Sequence, residues 1–339
     1  MNRKQSRVGE FARRGFNSAE AAARTWERLE LALSRSIPVP LDTFSVAANK
    51  DQALTSIARM WATAPAKMDQ VASEQGWLQR TLLVLGSSTE LARYLTRYPR
   101  EVELLKEPPL ARSPEQWQGF FEHRVGAADV IDGNPDELRR AWHAAVCQVA
   151  ARDLAADDPT TIVHEISADL AGIARAVLNL ALAHARSQVP GWERVRLAVV
   201  AMGKAGGDEL NYVSDVDVIH IVEPVGSTPV PEAIAIGTRL AAALSRICSE
   251  RTAEGSIWEV DASLRPEGRS GPLVRTLDSC RAYYQDWAEN WEFQALLKAH
   301  PAAGDLQLGQ DFCDMVAPMV WDAGQRDGFL QDVRGMRQR

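Results

Sequence analysis

The chain has 339 residues, 46% of them hydrophobic and 24% charged, which are the proportions of an ordinary folded protein with room for about two domains. Lys and Arg number 38 against 45 Asp and Glu, a net charge of −7, and this acidic balance speaks against a non-specific nucleic-acid binder. The four cysteines, Cys147, Cys248, Cys280 and Cys313, stand far apart with no CxxC pair; they exclude a disulfide scaffold, give no zinc signature and fit reduced thiols in the cytoplasm.

The N-terminus, MNRKQSRVGEFARRGF, is basic, but no apolar h-region of a signal peptide follows it. The first ~190 residues then read as helices. Ser88 offers a cap, Leu91, Tyr94, Leu95 and Tyr98 follow at i, i+3, i+4, i+7, and Pro99 closes the pattern. Ala-rich segments at 136–156 and 166–186 continue the theme, punctuated by Pro135 and Pro159. The most apolar stretch, 171–185, is interrupted by Arg175 and Asn179 and is read as too short to span a bilayer. The expectation is a cytoplasmic protein without a membrane partner.

The pattern changes at Pro190-Gly191. Leu197 to Met202 is a short apolar run suited to a buried strand, and Val216 to Val222 is a second. A helical stretch at 231–250 precedes a third strand candidate, Ser256 to Asp261, and from about Leu277 the helical period returns through Trp287, Trp291 and Ala295. The order is helices, a small sheet, then helices, an α+β arrangement. We divide it into a mainly helical region 1–190, a core 191–275 and a helical subdomain 276–339.

Chemistry concentrates between the first two strands. Gly203-Lys-Ala-Gly206-Gly207 is a turn whose backbone N–H groups can approach a phosphate closely, since no Cβ stands in the way. Ser214-Asp215-Val-Asp217 follows. Strand residues i and i+2 point to one face, so Asp215 and Asp217 project side by side. Two such carboxylates repel each other unless a cation bridges them. Oxygen-only ligands favour Mg²⁺ or Mn²⁺. With Asp261 at the end of the third strand, the three acids form a two-metal site for in-line phosphoryl-type displacement. The loop Leu264-Arg265-Pro266-Glu-Gly268-Arg269 adds two arginines suited to bidentate phosphate contacts.

Bland readings accompany the rest. His220, alternating with the apolar Ile219, is read as a structural strand residue. Trp258, Trp287 and Trp291 are expected in the core. Lys298, seven residues past Trp291, is read as sharing its helix face, reaching either a phosphate or solvent. Lys204 is placed in the turn, on phosphate or in water.

At these residues the sequence resembles the nucleotidyltransferase superfamily of DNA polymerase β. More narrowly, it is similar to the bifunctional glutamine synthetase adenylyltransferase/adenylyl-removing enzymes. The resemblance extends through Val260-Asp261-Ala-Ser-Leu264-Arg265-Pro266, Ser270-Gly-Pro-Leu-Val274, Tyr283-Tyr-Gln285 and Trp291-Glu-Phe-Gln-Ala-Leu-Leu-Lys298. Upstream, Leu85-Gly-Ser-Ser88, Leu91 and Tyr94-Leu-Thr-Arg97-Tyr-Pro99 resemble the family's helical leader, so the likeness covers most of 80–310. Ser263 departs from a common Arg, His300 interrupts a common Lys-Ala-Arg, and Ala201 and Ala205 replace a Gly and a Leu.

The resemblance implies a polymerase-β-like core with a small mixed sheet. Asp215, Asp217 and Asp261 would be its catalytic residues and the ligands of two Mg²⁺ ions. Gly203, Gly206, Gly207, Ser214, Arg265, Arg269 and Lys298 would bind nucleotide or phosphate. It implies the N-terminal, adenylyl-removing unit of a longer bifunctional chain, cut short of its second unit. The implied activity is removal of AMP from adenylylated glutamine synthetase by phosphorolysis, phosphate entering and ADP leaving, in the regulation of nitrogen metabolism. Glutamine synthetase, the PII signal protein, phosphate and ADP/ATP are the implied partners, without nucleic acid. Two alternatives are ATP-dependent adenylylation of the synthetase and a non-catalytic module binding a nucleotide or PII.

Overall fold

The computed structural model describes residues 3–325 and, beyond them, 328, 329, 331, 334 and 335. The chain divides into two compact units, Met1–Ala111 with His143–Val163, and Arg112–Trp142 with His164–Arg339.

The first unit is helical, as expected. Its helices are α1 (Arg3–Arg13), α2 (Ala19–Leu33), α3 (Lys50–Thr63), α4 (Pro65–Ser73), α5 (Gln75–Ser87) and α6 (Thr89–Arg97). The basic N-terminal segment carries Phe11 into an aromatic cluster, where it meets Phe16 edge-on at 4.9 Å and Trp26 at 5.9 Å. Ser88 caps α6 by accepting from the Leu91 N–H, and Leu91, Tyr94 and Leu95 are buried. Pro99 opens a 3₁₀ segment, because its ring cannot continue the α-helix.

Helix α7 (Pro114–Val125) starts in the second unit behind a capping box at Ser113. Its Trp117 donates to the buried Asp169 carboxylate at 2.7 Å. The chain passes between units within α8 (Asp136–Leu154). Helix α9 (Val163–Gln188) has 26 residues and, by length and composition alone, could cross a membrane, which corrects the reading of 171–185 as too short. Its apolar window is 78% buried, so it is accounted for as the core helix of its unit.

The sheet comprises β1 (Val195–Ala201), β2 (Val216–Pro224), β3 (Val260–Asp261), β4 (Val274–Arg275) and β5 (His300–Gly304). Its order is β3-β2-β1-β5, with β4 also pairing β2. Strand β1 is antiparallel to β2 and β5, whereas β2 is parallel to β3 and β4. The sheet is therefore mixed, as the resemblance implied. Its helices are α10 (Gly203–Gly206), a single turn, then α11 (Val230–Ser249), α12 (Leu277–Asp286), α13 (Asn290–Leu296) and α14 (Leu306–Ala323). Ala198, Val200, Ile219 and Ile221 pack with Tyr284, Phe293 and Phe312 into one core cluster. On α11, Gly237 lies so close to Val222 that a Cβ would come within 2.9 Å of its side chain.

Several expectations are corrected. The third strand shrinks to Val260–Asp261. Strand β5, which the sequence reading did not single out, interrupts the helical period after Leu277; its short Pro-Ala-Ala-Gly text has little β character. Trp287 is 77% and Trp291 39% exposed, and Trp258 is half-buried. Trp287 falls at the C-cap of α12, beyond the last buried position, Tyr284, and α13 buries Glu292, Phe293 and Leu296 instead. Lys298 does not share a helix face with Trp291, because α13 ends at Leu296 and β5 begins at His300.

Candidate active site

The parallel pairing of β2 with β3 builds the centre of the site. Its register sets Val216 beside Val260 and Asp217 beside Asp261, and paired residues of neighbouring strands face the same side. Asp215 stands two residues before Asp217, on that side too. One carboxylate oxygen from each of Asp215, Asp217 and Asp261 lies within 4.8 Å of the other two. Asp215 is exposed, while Asp217 and Asp261 are half-buried.

Electrostatics shows the strain of this arrangement. Burial first, then the charges of Asp215 and Asp261, push the Asp217 carboxyl above its ordinary range; Lys204 acts the other way. Asp261 is anchored from its own loop, its Oδ1 accepting from the Ser263 N–H at 2.7 Å. That bond uses the backbone, so the Ser found at 263 costs it nothing. Three convergent carboxylates, one of them raised above its ordinary range by burial and then by its neighbours' charge, are a donor set that fits a hard divalent cation.

The glycine turn is shaped by contacts on the protein side. Gly203 has φ +53°, and a Cβ there would come within 2.6 Å of Asp217 Oδ2, so glycine supplies both the backbone conformation and the room the carboxylate occupies. A Cβ on Gly206 would fall 1.9 Å from the Lys298 carbonyl oxygen. Gly207 faces the aliphatic stem of Lys298. The turn and the segment leading into β5 are thus pressed together. Lys298 Nζ pairs with Glu209 Oε2 at 2.5 Å, and Arg175 of α9 pairs with Asp208 at 2.7 Å, tying the far side of the turn. Ser214 is half-buried immediately before Asp215, and Lys204 is exposed.

Arg265 is spent largely on its own loop. Its Nη1 donates to the Ala262 carbonyl at 2.7 Å, Nη2 to those of Arg269 and Gly271, and Nε is shared between Gly271 and Pro272. Of the five N–H directions of a guanidinium, one on Nη1 is left for a ligand. Arg269 is exposed. Glu267, in the left-handed region at φ +64°, is ion-paired with Arg275.

Sequence reading did not single out Glu209 or Arg175, whose partners are 89 and 33 residues away and leave no local signal. Glu292 did have one. It is 4% exposed, accepts from Tyr283 Oη at 2.9 Å and closes a capping box with Glu289; the Glu-x-x-Glu spacing ahead of Phe293 is the readable sign.

A mixed sheet with three carboxylates on adjacent parallel strands, fronted by a glycine turn, fits a polymerase-β-like nucleotidyltransferase core. The sequence carries the classification further: residues 78–315 match the family described as glutamate-ammonia ligase adenylyltransferase, and the chain belongs to it. It is 40% identical, over its whole length, to 36% of the bifunctional glutamine synthetase adenylyltransferase/adenylyl-removing enzyme of Cutibacterium acnes. It is 44% identical, over 99% of its length, to 34% of the enzyme so named in Streptomyces avermitilis. With the one in Mycolicibacterium smegmatis the identity is 41%, over 77% of this chain and 26% of that protein. The chain thus spans about a third of the length of the first two of these curated relatives.

Proposed function

We propose that this chain is an enzyme, the adenylyl-removing unit, which takes AMP from adenylylated glutamine synthetase by phosphorolysis. The observation that carries the reading is the convergence of Asp215, Asp217 and Asp261 within 4.8 Å, in a member of an adenylyltransferase family. Phosphate attacks the α-phosphorus of the tyrosyl-AMP linkage, a new P–O bond forms to give ADP, and the bond to the tyrosine oxygen breaks. Asp215, Asp217 and Asp261 would hold two Mg²⁺ ions, with Mn²⁺ as a substitute. When bound, these ions screen the repulsion between the two anionic reactants and stabilise the departing oxygen.

The remaining parts bind and orient. Of the Gly203–Gly207 turn, the Gly203, Lys204 and Ala205 N–H groups, with the Ser214 hydroxyl, would offer donors to the nucleotide phosphate, since those of Gly206 and Gly207 donate to the Met202 and Gly203 carbonyls at 3.0 and 3.2 Å. Arg269, the free Nη1 direction of Arg265, and Lys298 once exchanged from Glu209 add positive charge. No side-chain acid or base is required. A tyrosine leaving group has a pKa of about 10, and the second ionisation of a phosphate lies near ~6. His220 cannot serve as one. It sits three residues past Asp217, on the opposite face of β2, buried and held down to about 4 by desolvation and then by the charge of Arg265.

The protein substrate is glutamine synthetase, with the PII signal protein as regulatory partner in the cytoplasm. Forward adenylylation from ATP is the second reading, favoured by relatives whose name joins both activities. One experiment separates them. The chain is mixed with adenylylated glutamine synthetase, Mg²⁺ and phosphate, and ADP is measured together with the mass of the synthetase. Phosphate-dependent ADP with loss of the AMP mass is the expected result. AMP transfer from ATP to unmodified synthetase, with no phosphorolysis, would reverse the assigned direction. Inactivity in both assays, with no metal uptake, would leave a nucleotide- or PII-binding module.

A further inference from the structure

The Leu85-Gly-Ser-Ser88 and Tyr94-Leu-Thr-Arg97 segments, which the catalytic reading does not use, lie in the first unit beside a surface groove of about 560 Å³. One wall is α3, which presents Thr55, Ser56 and Arg59; the other is α6, which presents Arg93, Thr96 and Arg97. Each set recurs at three- or four-residue intervals along one helix face. The groove therefore carries three guanidinium groups and four hydroxyls on two regular walls, the fourth hydroxyl, Thr89, being committed to Gln52.

Those walls are fixed at one end. Gln52 of α3 donates to the Leu85 carbonyl at 2.7 Å and accepts from the Thr89 hydroxyl at 2.9 Å. The Asn49 N–H donates to the Gly86 carbonyl at 3.0 Å. A Cβ on Gly86 would sit 2.6 Å from that of Ala47, so only glycine allows the two corners to meet. The glycine segment thus holds the helices at a set spacing.

The charge is one-sided. Among the described residues Asp51 is the single carboxylate in the lining, and its two oxygens already accept from the Asn17 and Ser18 N–H groups. Arg93 also pairs with Glu90 on its own helix at 2.8 Å, and Arg97 rests over the Tyr98 ring. Arg59 has no ion-pair partner among the described residues. Among the described residues no aromatic side chain lines the groove, so a nucleobase would have nothing there to stack on.

We propose that this groove is a second anion site, which binds a phosphate group through Arg59, Arg93 and Arg97 with the Thr55 and Ser56 hydroxyls beside them, while the Thr96 hydroxyl donates to the Ala92 carbonyl of its own helix at 2.6 Å. Guanidinium forks match the oxygens of a phosphate in pairs, and hydroxyls supply the single donors between them. The group could arrive as free phosphate or on a small phosphomonoester. Neither requires the metal site or the catalytic reading.

The test is a titration of the whole chain in EDTA at constant ionic strength, following backbone amide resonances by NMR. Inorganic phosphate is one arm, glycerol 3-phosphate the second, and chloride the control. Saturable shifts at Thr55, Ser56, Ala92 and Thr96, absent with chloride, are expected, and the arm that saturates lower identifies the source. The exposed pair Arg59→Gln and Arg93→Gln should weaken that binding by about tenfold or more, with circular dichroism and melting unchanged. Arg59→Lys with Arg93→Lys should recover part of it. Shifts that rise linearly, stay confined to 203–217, or persist undiminished in the Gln pair would overturn the proposal.

Discussion

Asp217 is where the site's stability and its chemistry oppose each other. Its folded carboxyl is held above the ordinary value by burial and by Asp215 and Asp261. A folded pKa above the unfolded one stabilises the fold at low pH, and that contribution is lost as pH rises through the folded value. At neutral pH the metal-free protein therefore bears the repulsion of the trio. Metal-free Asp217→Asn should melt higher than the parent chain at pH 7. With saturating Mg²⁺ the order should reverse, since ligand binding then stabilises only the intact trio. Turnover in the variant should fall on the order of a thousandfold, as removal of a charge-stabilising metal ligand requires. Equal melting temperatures with and without Mg²⁺ in both proteins would refute the metal assignment.

His220 gives the opposite sign. Among the described residues neither of its ring nitrogens has a hydrogen-bond partner, and burial holds it down to about 4. The unfolded chain takes up a proton near pH 6.5, while the folded chain resists until about 4. Its stabilising effect is therefore complete above the unfolded value and is lost as pH falls through this window, about 3 kcal/mol in all. Urea unfolding from pH 7 to 4 should show this slope, and His220→Leu, of similar volume, should flatten it.

At the scale of the element, the loop from Asp261 to Val274 shows an arginine bracing its own turn. In the sequence, Leu264-Arg265-Pro266 reads as a phosphate grip. In the fold, most of the Arg265 donors close the loop onto the Ala262, Arg269, Gly271 and Pro272 carbonyls. Lys carries the charge without the planar fork. In Arg265→Lys a bracing role predicts a lower kcat with the phosphate KM held, whereas a direct phosphate contact predicts a raised KM. Steady-state phosphorolysis at varied phosphate distinguishes the two. Other elements depart from the sequence expectation for a common reason. Trp287 and Trp291 carry the residue type of a core, but the ends of α12 and α13 leave them outward. Strand β5 exists because β1 has an open edge to pair, which its own sequence does not announce.

For the whole molecule, the cysteines are a general test of burial. Cys147, Cys248 and Cys280 are buried, and Cys313 partly so. Burial pushes Cys248 and Cys280 up to about 12 and Cys313 to about 11, and Cys147 is raised further. Since the thiolate is the reactive form, a disulfide reagent at pH 8 should titrate the native chain slowly, Cys313 first. All four should react at once in denaturant. Rapid release of several equivalents from the native protein would contradict the packing of both units.

Much of the site was legible because it is local. The glycine turn and the Asp-x-Asp step each have a fixed spacing, and alternation along a strand alone puts Asp215 and Asp217 on one face. The α+β class, the cap at Ser88 and the helix at 230–249 were likewise written in periodicity and capping chemistry. What the sequence could not supply were relations between distant segments. The parallel register that sets Asp261 beside Asp217, the approach of the Lys298 carbonyl that requires Gly206, and the ion pairs of Glu209 and Arg175 were decided by tertiary structure. Spacing along a chain fixes the direction of a side chain relative to its own backbone, but only packing brings separate backbones within hydrogen-bonding and Coulombic range.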